Sequence, residues 1–243
     1  MLPGYLHGPG TGAFSWDTRG MMAEPRSIAA IAVTIEATPK RAFARSTDWP
    51  GWARGGRTEE AALAALAATA SRYAAVAAEV GAPFVAATYE VVERTPGSAT
   101  TDFGVPSVIT AFDRRPVDAA EAARLVRFVE AAWAVFERVA AAAPPELRTG
   151  PRGGGRDRDK MVRHVDDADH AYAQVLGIKV PAPDRAIPST VAAMRAAMLE
   201  ALSRPSDGSP IAGRKWPPRY AASRIAWHAL DHAWEIEDRT DSR

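Results

Sequence analysis

The sequence predicts an α+β protein: a small β-β-α-β unit over residues 26–113, followed by a four-helix bundle over residues 114–243. Three observations predict it. Apolar residues recur at period two in short segments before residue 92. From Pro116 the apolar period becomes 3.6 and stays there. Breaks rich in Pro and Gly then divide the remainder into four stretches, each long enough for a helix. The chain has 243 residues, 47% hydrophobic and 24% charged, which is ordinary globular composition and enough for a sizeable core.

Residues 1–25, "MLPGYLHGPGTGAFSWDTRGMMAEP", show no periodicity and lack the basic and apolar regions of a signal peptide. They read as a disordered, dispensable tail, with Met21 and Met22 as alternative starts and His7 without a role. Ile31, Val33 and Ile35 alternate as a strand does, and "RAFARST" is placed to return antiparallel. Pro50 and Gly51 in "DWPGW" suit the centre of a type II turn, since Pro presets φ and Gly accepts a positive φ. Trp49 and Trp52 beside it either anchor a core edge or line a pocket. Thr58 is placed to cap one helix carrying Leu63, Leu66, Ala70, Tyr73 and Ala77, which Gly81 ends. Val85, Ala87, Tyr89 and Val91 predict the next strand, and "SVITAF" a further one.

Asp118 and Glu121 form a capping-box pattern at the start of the first bundle helix, whose stripe runs from Leu125 to Val139 and stops at Pro144–Pro145. "GPRGGGRD" is a flexible link without the Lys-Ser/Thr ending of a phosphate loop. The second helix is expected near 157–176, with Met161, Val165, Ala168, Tyr172 and Val175 inward. The third is expected near 189–203. The fourth begins after Pro217–Pro218 and ends near Arg239.

Composition excludes several classes. The net charge of +1 gives no basis for binding nucleic acid or an acidic membrane. No apolar run approaches the ~20 residues of a spanning helix. There is no cysteine, so disulfides, thiolate metal sites and a Cys nucleophile are all absent, which fits a cytoplasmic location. Arg far outnumbers Lys, a coding bias that carries little functional weight.

The fourth helix, "AWHALDHAWEIEDR", is unusual. His228 and His232 lie one turn apart at the edge of its Ile225/Ala229/Ile236 face. His164 lies beside the inward stripe of the second helix, while His170 falls on the opposite, solvent side. Three imidazoles from two helices can hold one divalent ion, and they leave positions open for water or substrate. Imidazole suits zinc, nickel and iron alike. Arg224 and Glu235 flank the histidines as candidates for contacting substrate or a ligand. On the other side of the helix Trp227, Leu230 and Trp234 require a cover. The tethered N-terminal region is the favoured cover; a second subunit, making a homodimer, is the other.

The segments "RDKMVRHVDDADHAY" and "RYAASRIAWHALDHAWEIEDR" resemble the DinB-like superfamily of four-helix bundles over about residues 117–239. The resemblance implies a metal held by His164, His228 and His232. It also implies, among members of known activity, transfer of a low-molecular-weight thiol to a small electrophile. "STDWPGWARGGRTEEAALAALAA" is similar to HicB-like antitoxins over about residues 30–92, which implies a β-β-α-β fold. Two functions are therefore expected. One is a metal-dependent enzyme, a thiol S-transferase or hydrolase acting on a small electrophile, with any thiol an external cosubstrate. The other is a non-catalytic interaction or antitoxin-like regulatory protein with a structural bundle.

Overall fold

Alternation and turn chemistry build a four-stranded sheet: β1 (Ile31–Ala37), β2 (Ala42–Ser46), β3 (Ala53–Gly56) and β4 (Tyr89–Pro96). The computed structural model describes residues 30–85, 88–150 and 155–240. The expected tail, residues 151–154 of the Gly-rich link and Ala87 lie outside the described residues. The sheet order is β3-β2-β1-β4; the first three strands pair antiparallel, and β4 pairs parallel to β1. The short strand β3 was not anticipated. A parallel pair needs a long crossover. Here α1 (Glu59–Ala68) and α2 (Ala70–Glu79) supply it. The fold is α+β, with 54% of the described residues in helix and 13% in strand.

The turn before β3 forms as expected. The Trp52 N–H donates to the Trp49 carbonyl at 3.1 Å, and Gly51 has a φ of +87°. Both tryptophans serve the core. Trp52 is fully buried, stacks on Tyr73 at 5.3 Å and donates from Nε1 to Thr69 Oγ1 at 3.1 Å. The Tyr73 hydroxyl in turn donates to the Pro50 carbonyl at 2.7 Å.

Three expectations need correction. The single helix after Thr58 is two, bent by 54° at Thr69. Thr69 Oγ1 donates to the Leu66 carbonyl at 2.9 Å, a local bond that competes with helix continuation. The strand expected from Val85 starts only at Tyr89, and Val85 is exposed. "SVITAF" is not a strand. The Ser107 and Val108 N–H groups donate to Glu36, that of Thr110 to Asp113 and that of Ala111 to Glu93. With the N–H groups of Ser107, Val108, Thr110 and Ala111 committed to carboxylates, this backbone is held away from a ladder. Asp113 also takes a two-pronged bond from Arg45, which ties the segment to β2.

After the short α3 (Ala99–Phe103) come four long helices: α4 (Ala119–Ala142), α5 (Arg158–Val175), α6 (Pro188–Leu202) and α7 (Pro218–Arg239). They match the four expected stretches closely. Asp118 caps α4 by accepting from the Glu121 N–H, but Glu121 does not reciprocate; its carboxylate goes to Arg124 and Arg219. Helix α7 packs on α4, α5 and α6. No single helix among the described residues is long and apolar enough to cross a membrane.

The N-terminal unit covers the tryptophan face of α7, so a second subunit is not needed there. Trp227 and Trp234 are both buried. Trp227 meets Phe43 of β2 edge-on at 6.3 Å, and the Arg54 guanidinium of β3 lies over Trp234 at 5.0 Å. Contact is closest at Gly51, where a Cβ would fall 2.7 Å from the Ala226 Cβ.

Candidate metal centre

Helices α5 and α7 pack together and bring His164, His228 and His232 to one point. Their ring centroids lie 5.1 Å (164–228), 4.9 Å (164–232) and 4.6 Å (228–232) apart. One nitrogen from each ring falls within 4.8 Å of the others. The i, i+4 spacing on α7 aligns two rings on one face, and α5 supplies the third from across the bundle.

The electrostatics favour the neutral form of His164 and His228. Burial lowers the His164 pKa to about 4, helped by His232 and Arg156. Burial also holds His228 well below the ordinary value, with His232 and Arg224 adding to the effect. A neutral imidazole keeps a lone pair for a metal. His232 Nδ1 lies 3.0 Å from Glu235 Oε2. An ionised carboxylate only accepts, so Nδ1 carries the proton and Nε2 keeps the lone pair. Burial would raise the Glu235 pKa, but the bond to His232 and the charge of Arg239 hold it below the usual range. Arg239 bonds Glu235 at 3.1 Å and is itself fixed by the carbonyls of Arg148 and Arg156. A chain of fixed groups therefore orients one ring of the triad.

These residues fit a divalent ion. The His228 Nδ1 is buried with no hydrogen-bond partner, an orphaned nitrogen in a cluster of imidazoles. Three such donors suit zinc, nickel or iron.

The other candidates are placed as follows. Glu235 touches the triad directly. Arg224 is half-buried rather than a surface charge. Its guanidinium lies over Trp227 at 4.7 Å and Tyr172 at 5.5 Å, and it donates to the Pro106 carbonyl at 3.3 Å. His170 stays away from the triad as expected, but it is half-buried and its Nε2 bonds the Val180 carbonyl at 3.0 Å.

Sequence reading missed two groups. Tyr172, taken as a core residue, stands edge-on to His228 at 5.7 Å. Asp166 and Asp169 are buried on the far side of α5, where Arg185 and Arg195 meet them. Their signal was their spacing, two acids three residues apart, inside a run that looks solvated. Among known proteins, no family model, curated protein or solved structure matches this chain, so the case for the site is its own geometry.

Proposed function

We propose that the chain is a metal-dependent enzyme acting on a small electrophile, a thiol S-transferase or hydrolase, with the ion held by His164, His228 and His232. The observation that carries this reading is the convergence of three imidazoles, two of them held neutral by burial and one with an orphaned buried nitrogen. The resemblance to DinB-like bundles supports it further. A divalent ion at this point supplies a Lewis-acidic centre that lowers the pKa of a thiol or water. The chain does the rest. Glu235 holds His232 in one tautomer. Tyr172 and Trp227 wall the site, and Arg224 and Arg156 place positive charge near it, which favours a developing anion. The chain has no cysteine, so a thiol must enter as cosubstrate.

Elemental analysis of purified protein tests the reading. Wild type and His170→Ala should hold about one equivalent of zinc, nickel or iron, and His228→Ala almost none. Equal content in wild type and His228→Ala would refute it. A metal-loaded protein that turns over no electrophile with glutathione or water would favour the interaction-protein alternative.

A further inference from the structure

A cleft of about 950 Å³ lies between β2, β3, the end of α3 and α7. Substrate clefts commonly span ~300–1,000 Å³. It adjoins the histidine triad along α7. Glu235 lines it while bonding His232, and Trp227 lines it with its ring 6.2 Å from that of His228.

Several charged groups line the cleft among the described residues. Four guanidiniums, of Arg41, Arg54, Arg148 and Arg239, meet three carboxylates, of Asp231, Glu235 and Asp238. Nearly all are engaged. Arg54 pairs with Asp231 at 2.6 Å, Arg239 with Glu235 at 3.1 Å, and Asp238 with Arg72 at 2.5 Å. Arg148 donates to the Asp238 carbonyl at 2.6 Å. Arg41 is different: among the described residues its guanidinium has neither a hydrogen bond nor an ion pair, and only its backbone is engaged. Gly104 makes room for it. A Cβ there would stand 3.2 Å from the Arg41 Nη1, and its φ of +112° favours glycine.

The rest of the wall is apolar and aromatic. Phe43 and Trp227 meet at its base, and Phe103 stands at the rim, 83% exposed. A large exposed aromatic beside a cleft suggests contact with a ligand.

We infer that this cleft binds a small aryl carboxylate, its carboxylate on Arg41 and its ring between Phe103 and the Phe43–Trp227 pair. A guanidinium fork with no other partner among the described residues matches a carboxylate edge. The inference goes beyond the metal-centre reading and does not rest on it, since none of the three histidines lines the cleft.

The test uses calorimetry on full-length protein dialysed against a chelator, with 2-naphthoate and its neutral amide as probes. 2-Naphthoate should bind at least tenfold more tightly than the amide. Arg41→Ala should weaken it at least tenfold, Arg41→Lys less, and Phe103→Ala several-fold. Binding should persist in His228→Ala, which separates this inference from the metal reading. Equal binding by wild type and Arg41→Ala, or no binding at millimolar 2-naphthoate, would overturn it. So would binding that requires added metal and vanishes in His228→Ala, which would place the carboxylate on the ion and leave the metal reading intact.

Discussion

Helix α5 carries polar side chains into the interior on two roughly opposite sides. Toward α7 it offers His164. Toward α4 and α6 it offers Asp166 and Asp169. The acidic side finds ionic partners within the chain, although both Asp169 oxygens and the Arg195 Nε are buried without a hydrogen bond. Arg185 bonds Asp166 through two nitrogens at 2.5 and 2.8 Å and also bonds Glu137 twice. Arg195 reaches Glu137 at 2.8 Å and Asp169 at 3.5 Å while lying over Trp133. The histidine side has a single carboxylate, Glu235 on His232, and one nitrogen of each ring lies within 4.8 Å of the others. A buried polar group needs a partner. Where the chain provides one, the cluster is a brace. Where lone pairs converge with no protein donor between them, the cluster points to a ligand.

This contrast can be broken by mutation, and the acidic brace should respond most in stability. Arg195→Ala leaves Asp169 without its cation, while Arg185 still holds Asp166. Removing one partner of a buried pair costs ~3–5 kcal/mol. At ~2–4 °C per kcal/mol for a chain of this size, Tm should fall by roughly 6–20 °C. Metal content of the folded fraction should stay near wild type. A fall in metal equal to that of His228→Ala would join the two sides into one site.

A smaller effect belongs to Glu235→Gln. The amide can still accept from His232 but loses the charge, and partners of ligating histidines typically contribute 10–100-fold in metal affinity. Competition with a chromogenic chelator should show a loss in that range, with Tm of the metal-free protein changed by only a few degrees. No change in affinity would remove Glu235 from the site.

The most diagnostic effect is a dependence on pH. Burial raises the Asp169 carboxyl from the ordinary 3.8 to about 7, against the opposing pull of Arg195. The folded chain therefore keeps a proton that the unfolded chain releases above about pH 4. Stability from this group is fully present below pH 4 and is lost as pH rises to about 7. Asp169→Asn removes that slope. The Tm of wild type minus that of the variant should fall between pH 4 and 7 and then level off. A constant difference would show that Asp169 is already ionised.

How far the molecule was legible in its sequence depended on the range of the interaction. The four long helices follow from a 3.6-residue period and Pro or Gly stops, and these are local. The meeting of His164, His228 and His232 follows from which helix faces point inward. The burial of Trp227 and Trp234 follows from area alone. The bend at Thr69 was not legible, because the Trp52 indole that bonds its hydroxyl comes from a distant turn. "SVITAF" alternates like a strand, but Glu36, Glu93 and Asp113 claim its N–H groups, and nothing in the alternation reports that. Asp166 and Asp169 looked solvated because their arginines lie 19 to 29 residues away. The cleft around Arg41 joins strands near residue 50 to a helix near residue 230, a pairing that no local pattern encodes.

The packing of Trp227 against Phe43 also bears on synthesis. Phe43 leaves the ribosome ~180 residues before its partner, which at 5–20 residues per second is roughly 10–35 s. Through that interval the face of β2 and β3 that α7 will cover stays open. The N-terminal unit cannot finish as an independent, early-folding module, since its last apolar surface arrives with the last described helix. Long-range closure of this kind slows folding and lengthens exposure to aggregation. A nascent chain stalled before Pro218 should therefore depend on chaperones in a way that one carrying Trp234 does not.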